Sequence, residues 1–384
     1  MRVVIAPDKF KGSLEAPQVA EALADGLAAA LPTADVVCQP VADGGEGTVA
    51  AALAAGYEPV TVSVRGPVSE PVSATFAVQG PRAVIEMAAA SGLLVLPRDR
   101  DGSPRLDALG ASSIGTGELI RAALDAGCTE IVLGVGGSAN TDGGAGLLVG
   151  LGARLLDASG EPVPPGGGGL DRLASVDVSD LDPRIGEIHV VLAADVTNPL
   201  LGPDGAAAVF GPQKGAGPDD VAVLDANLAR FRDRLGDALG RDAVEAADAP
   251  GAGAAGGVGY AALAVLRAVR RPGVEVVLDL VGLDARMTGV DLVITGEGSL
   301  DSQSLGGKTP VGVAALARSH GVPTVIGVCG RSLLSEEETR RAGFDEVIAL
   351  LDRQPDAARA MADAAALLTE IGGELGRRYG VLTN

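Results

Sequence analysis

The sequence predicts an α/β protein built on parallel strands, and three observations predict it. Val- and Ile-rich runs such as "VVIAP" (3–7) and "DLVITG" (291–296) lack polar alternation, as strands covered on both faces do. Segments of helical period separate these runs. Glycine-rich loops that carry charge follow the strands, at the end of a parallel sheet where ligands bind.

In chain order, "VVIAP" reads as a buried strand. Ser13 is placed to cap the helix "LEAPQVAEALADGLAAAL", and Pro32 follows its end. "DVVCQPVA" is a second strand, and "DGGEG" turns into the helix "TVAAALAA". From about residue 60 the texture changes. "VTVSVRGPVSEPVSATFAV" alternates apolar and polar around Gly-Pro and predicts an antiparallel hairpin. The strand "AVIEMA", the helix "GELIRAALDAG" and the strand "EIVLGV" come next. "GEPVPPGGGG" (160–169) reads as a loop and "HVVLAADV" as a strand. Leu224, Leu228, Phe231, Leu235 and Leu239 mark an amphipathic helix, and "VEVVLDLVG" closes the section. The opening texture returns in "DLVITG", "PTVIGVCG" and "DEVIAL", followed by the helix "DAARAMADAAALLTEIGGEL". The expected architecture is a Rossmann-like discontinuous domain, 1–60 plus 285–384, with a second α/β domain, 61–284, inserted, and an active-site cleft between them.

Composition excludes several classes. Of 384 residues, 47% are apolar but only 2% aromatic, so Ala, Val, Leu and Ile must fill the core. The formal net charge of −20 repels nucleic acid and acidic membranes, so neither is expected as a partner. An anionic substrate would need local cations. The N-terminal apolar run is too short for a signal peptide, and no uncharged stretch approaches a membrane span. Cys38, Cys128 and Cys329 lie in apolar segments and read as core thiols of a reducing compartment, so a cytoplasmic location is expected. Of 30 basic residues, only Lys9, Lys11, Lys214 and Lys308 are lysines, and all lie in Gly- or Pro-punctuated loops. A lysine kept against such an arginine bias points to a need for a compact point charge.

The charged loops fit one chemistry. They are "APDKFKGS" (6–13), "ADGGEGT" (42–48), "GVGGSANTDGGAG" (134–146), "ADVTNPLLGPDG" (194–205), "FGPQKGAG" (210–217) and "GEGSLDSQSLGGKTP" (296–310). Phosphoryl transfer needs oxygen ligands for Mg²⁺, cations for developing charge, backbone N–H groups on phosphate, and a carboxylate to orient the attacking hydroxyl. Asp8, Asp43, Glu46, Asp142, Asp195, Glu297 and Asp301 offer the oxygens; the four lysines offer the cations. Gly307, Lys308 and Thr309 match the end of a phosphate loop, but its first glycine is replaced by Ser302, so this is no intact P-loop.

Plainer readings stand beside these. Asp8 and Asp43 also suit turn or capping roles. "GAGAAGGVG" (251–259) suits close packing as well as phosphate binding. Glu86, inside an apolar strand, requires a partner or a site at the strand end. His189 and His320 read as structural or surface residues. Gly134, Gly136 and Ala139 imitate a dinucleotide turn, with Asp157 about twenty residues on, but "NTDGG" interrupts the helix such a turn should open.

Together the blocks "APDKFKGSL", "PVADGGEGT", "GVGGSANTDGGAG", "DVTNPLLGPDGAA", "FGPQKGA", "PGAGAAGGVG" and "LVITGEGSLDSQSLGGKTP" resemble, in order and over nearly the whole chain, the bacterial type I glycerate kinases. That family writes "GGSATNDGG" where this chain has "GGSANTDGG", so Asn140 and Thr141 are exchanged. The resemblance implies phosphorylation of D-glycerate with ATP and Mg²⁺, commonly at the 2-hydroxyl. From their chemistry and loop positions, Asp195, Lys9 and Lys308 are the catalytic candidates, with Asp195 orienting or deprotonating the hydroxyl. Lys11, Ser138, Asp142 and Asn198 are substrate-binding candidates. Gly44, Gly45, Glu297, Gly298 and Ser302 are nucleotide-binding candidates, and Asp43 and Asp301 are the metal candidates. The expected partners are D-glycerate and ATP, with a homo-oligomer left open. The competing classes are an NAD-dependent hydroxyacid dehydrogenase using the 134–139 turn and a non-catalytic module binding a small acid.

Overall fold

The computed structural model describes residues 1–302 and 304–380. The chain divides into two compact units: Met1–Asp43, Ala50–Gly56 and Val274–Asn384 form the first, Gly44–Val49 and Tyr57–Gly273 the second. The strands are β1 (Arg2–Ile5), β2 (Asp35–Cys38), β3 (Glu58–Arg65), β4 (Pro71–Gln79), β5 (Arg82–Glu86), β6 (Glu130–Gly134), β7 (Arg154–Leu156), β8 (Ser175–Asp177), β9 (His189–Ala193), β10 (Val269–Arg271), β11 (Leu292–Leu300), β12 (Thr324–Ser332) and β13 (Glu346–Ala349).

The first unit is a parallel sheet in the order β13-β12-β11-β1-β2. Val3, Val4 and Ile5 of β1 pair with Leu292, Val293 and Ile294 of β11. Alternation sorts these side chains to two faces. Val3 and Ile5 pack with Leu23, Leu27, Leu368 and Ile371 from the helices Ala16–Ala30 and Ala364–Gly380. Val4 and Val293 pack on the other face with Val277 and Val313 from the helices Gly273–Leu280 and Thr309–Ser319. Both faces are therefore dry, which is why these strands read as unbroken apolar runs.

Local signals shifted in three places. The first helix begins at Ala16 after Glu15, whose N–H is bound by the Gln18 side chain, while the Ser13 hydroxyl donates instead to the Met361 carbonyl. The terminal helical stretch breaks after Ala362 and restarts at Ala364. Cys38 is exposed, unlike the buried Cys128 and Cys329, because its edge strand β2 is only partly covered.

The second unit holds a mixed sheet in the order β10-β9-β6-β5-β4-β3, in which β5, β6, β9 and β10 run parallel. The expected hairpin is β3–β4, antiparallel from Glu58↔Val78 to Arg65↔Pro71. Helix Pro218–Leu239 buries Leu224, Leu228, Phe231 and Leu235, as its periodicity requires. The stretch 160–169 is more than a loop, because Gly166–Gly169 forms a helical turn. No helix among the described residues is long and apolar enough to cross a membrane.

Candidate active site

In the first unit, one polar cluster forms where β1 and β11 end. Asp8 is 8% exposed, and its backbone N–H donates to the Gly296 carbonyl, which locks the loop after β1 onto β11. Its carboxylate accepts from the Lys9 N–H (2.6 Å) and the Thr309 hydroxyl (2.7 Å). Burial, with the charges of Asp43 and Glu297 adding, pushes the Asp8 carboxyl up to about 7 despite those donors. Glu297 sits on β11 itself and accepts from the Ser304 hydroxyl (2.6 Å). Burial raises its carboxyl too; Ser304 and Lys308 oppose this, and Asp43 and Asp301 reinforce it. Ser304 also ties back to Asp301, whose backbone N–H it accepts. Lys308 is the residue before helix Thr309–Ser319, with Pro310 in the first turn, so unpaired helix N–H groups and an ammonium lie side by side. Ser302 is exposed in the adjoining turn. Within this unit the structure thus brings together Lys9, Asp43, Glu297, Asp301 and Lys308.

These shifts set a pH dependence. The unfolded Asp8 carboxyl ionises near 3.8 and the folded one near 7, so the folded state holds the proton more tightly. The stability this proton supplies is complete below the unfolded value and is lost as pH rises through about 7. In EDTA, Asp8→Asn is expected to gain on wild type as pH rises, by roughly 2–3 kcal/mol between pH 5 and pH 8. Urea unfolding at both pH values measures this, and a stability gap independent of pH would contradict it.

The donor set suits Mg²⁺. Among the described residues no three His, Cys, Asp or Glu side chains converge as a metal-binding group. Mg²⁺ does not need three, since one or two carboxylates, waters and substrate phosphates complete its shell. The crowding that destabilises the charges of Asp8 and Glu297 is what a bound divalent cation relieves. Asp43 and Asp301 are the neighbouring hard-oxygen donors that would hold it.

In the second unit, residues 44–47 lie against the ends of β6 and β9. Gly44 has φ 85°, and a Cβ there would come within 2.6 Å of the Gly273 Cα and 3.1 Å of the Ala193 Cβ. Only glycine combines that backbone with that approach. Glu86 finds its partners here: one oxygen accepts from Gly47 N–H (3.0 Å) and Val49 N–H (2.6 Å), capping the start of helix Thr48–Ala54. Asp195 follows β9, is exposed, and accepts from the Gly273 N–H at 2.7 Å, while Arg270 donates to its carbonyl. The Asn198 amide donates to the Asp204 carbonyl (2.8 Å).

The GGSANTDGG loop is a buried network. Asp142 is 1% exposed and accepts from the Ser113 N–H and hydroxyl, the Asn140 amide, and the Gly144 and Gly146 N–H groups. A residue so enclosed organises the loop, with its carboxylate engaged by the chain's own donors. Lys214 is also buried, and its ammonium donates to the Asn140 carbonyl. Desolvation, opposed by Asp142, lowers its pKa to about 7. Ser138 is nearly buried at the start of the loop, held by a bridge to Gly92. The Asn140 Oδ1 and Thr141 Oγ1 are buried without partners among the described residues. These are the two positions whose order departs from the family pattern. The "GAGAAGGVG" loop packs closely on the GGSANTDGG loop: Gly143 N–H donates to the Gly256 carbonyl, and a Cβ at Gly257 would lie 2.6 Å from the Gly143 Cα. The dinucleotide turn loses its basis as well. Helix Ala145–Gly150 starts late, and a Cβ at Gly136 would lie 2.8 Å from the Gly45 Cα. His320 pairs with Asp284, away from these clusters in sequence.

Thr309 was singled out only as the end of an incomplete phosphate loop and not as the partner of Asp8, and Ser304 was missed. The one signal for Ser304 was its spacing, three residues after Asp301, and lone hydroxyls are too common in loops for that to single it out.

The glycerate kinase family model matches residues 3–379. A "Glycerate kinase" of Bacillus subtilis (strain 168) is 48% identical, covering 91% of this chain and 90% of that protein. A "Glycerate 2-kinase" of Escherichia coli (strain K12) is 45% identical, covering 91% of each. A solved structure from Salmonella typhimurium LT2, carrying the provisional name glycerate kinase 2, matches with a TM-score of 0.85 and 43% identity over 100% of this chain and 99% of that one. With a match that spans both units and every charged loop described above, the chain belongs to the glycerate kinase family.

Proposed function

We propose that the protein transfers the γ-phosphoryl group of ATP to the 2-hydroxyl of D-glycerate in the presence of Mg²⁺. The observation that carries this reading is the first unit's cluster. There, crowded carboxylates whose mutual charge a divalent cation would relieve stand beside Lys308 at a helix start, an arrangement suited to a metal-bound phosphate. The names of the relatives supply the acceptor, and that of the Escherichia coli relative favours the 2-hydroxyl.

Asp195 takes the acceptor's proton as the hydroxyl oxygen bonds to the γ-phosphorus, and the bond from that phosphorus to the β,γ-bridging oxygen breaks to release ADP. Gly273 N–H fixes one carboxylate oxygen of Asp195, so its orientation is set before substrate arrives. Lys9 and Lys308 meet the charge on the phosphoryl oxygens, and the first N–H groups of helix Thr309–Ser319 add to it. Asp43 and Asp301 would hold the cation, which would supply positive charge to the phosphate oxygens. Ser138 and Asn198 are the proposed contacts for substrate hydroxyls. Unpaired thiols at Cys38, Cys128 and Cys329 support a reducing, cytoplasmic setting.

A coupled ADP-release assay with D-glycerate, ATP and Mg²⁺ tests the reading, with phosphorus NMR of the product. Glycerate- and Mg²⁺-dependent ADP release with a 2-phosphoglycerate signal is expected. No glycerate-dependent release would remove the reading, and a 3-phosphoglycerate signal would remove its regiochemistry.

A further inference from the structure

The first unit's sheet order has a consequence for where the nucleotide goes. From β1 the sheet grows outward to β2 on one side and through β11, β12 and β13 on the other. The helix after β1, Ala16–Ala30, covers one face, and the helix after β11, Thr309–Ser319, covers the opposite face. Connections that part in this way open a crevice at the C-terminal ends of the two strands, the usual ligand position in such sheets.

A cavity of about 230 Å³ opens there, lined by Phe10 and Lys11 after β1 and by Gly298 and Ser299 of β11. Its apolar wall is Phe10, Leu350, Leu351 and Met361, which suits a flat heterocycle and not a three-carbon acid. Lys11 and Arg331 are exposed along its lining and supply positive charge in a protein of net charge −20. Bare backbone forms part of the wall: a Cβ at Gly330 would lie 2.6 Å from the Gly298 carbonyl, so a side chain there would block strand pairing. The Ser299 hydroxyl is buried with no hydrogen-bond partner among the described residues, which leaves a polar group for a ligand to satisfy. Two chain segments join this cavity to the carboxylate cluster, since Asp8 and Lys9 immediately precede Phe10 and Lys11, and Glu297 immediately precedes Gly298.

Building on the kinase reading above, we propose that this cavity is the nucleotide site, with the base against Phe10, Leu350 and Met361 and the phosphate chain by Lys11 and Arg331. Lys11 then serves ATP and not the acid, and the first unit carries the nucleotide.

Arg331→Glu, at an exposed position, is expected to weaken binding of a fluorescent N-methylanthraniloyl-ATP by at least tenfold and raise KM for ATP similarly, with KM for D-glycerate within about twofold. Ala360→Phe, which fills the cavity, is expected to abolish binding in protein whose circular dichroism is unchanged. Irradiation of the full chain with 8-azido-ATP is expected to label the peptide containing residues 350–361. Wild-type nucleotide affinity in both Arg331→Glu and Lys11→Glu overturns the assignment, as does labelling confined to residues 57–273. The two readings fail separately. Wild-type protein that binds nucleotide but shows no glycerate-dependent ADP release, with binding lost in Arg331→Glu, keeps the cavity assignment and removes the kinase reading. Normal turnover with unchanged nucleotide binding in the variants does the reverse.

Discussion

Asp195→Asn is expected to lower kcat by about 10²-fold or more while the protein remains folded. The amide is the same size as the carboxylate and can still accept the Gly273 N–H bond seen at 2.7 Å. The Arg270 contact is to the backbone carbonyl, so it is indifferent to the substitution. What the amide cannot do is take a proton from the acceptor hydroxyl. The loss should therefore fall on kcat, with KM for D-glycerate changed little, because the proton moves only as the transition state forms. Steady-state kinetics in the ADP-release assay, with a melting curve on the same preparation, measures both. Near-normal turnover would take Asp195 out of this role and send the search to the other carboxylates.

Asp142→Ala should act on stability, costing about 3–5 kcal/mol. The methyl group abandons donors from Ser113, Asn140, Gly144 and Gly146 in an interior where water cannot replace the lost acceptor. It also removes the negative charge that steadies buried Lys214. The urea midpoint should fall sharply and soluble yield with it. A midpoint within experimental error of wild type, coupled with a raised KM for D-glycerate, would instead restore Asp142 as a substrate ligand. The contrast with Asp195 is one of exposure, since one carboxylate faces solvent and the other is enclosed by its own loop.

The scarcity of lysine directed attention to four positions, and two of them show how far such reasoning goes. Lys308 and Lys214 both sit in glycine-punctuated loops and look alike as sequence. Lys308 precedes a helix and faces Glu297, whereas Lys214 is buried against the Asn140 carbonyl, 74 residues away in the chain. Nothing local to "GPQKGAG" encodes that burial. Glu86 is a parallel case. Its place in an apolar strand called for a partner, yet the partners, the N–H groups of Gly47 and Val49, belong to a segment nearly forty residues earlier. The hydroxyl anchors on Asp8 and Glu297, Thr309 and Ser304, could not be assigned to those carboxylates from the sequence for the same reason.

By itself the sequence determined the longer strands of both sheets, though not the three-residue β7, β8 and β10, together with the principal helices, the acidic field and the charged loops from which a site could be made. These follow from short-range periodicity and from composition, which are properties of neighbouring residues. Tertiary structure alone decided which carboxylates crowd until one holds its proton to about pH 7, which carboxylate is enclosed as scaffold, and where a cavity opens beside β1 and β11. Those outcomes depend on desolvation and on distances between groups hundreds of residues apart, and both exist only once the chain has folded.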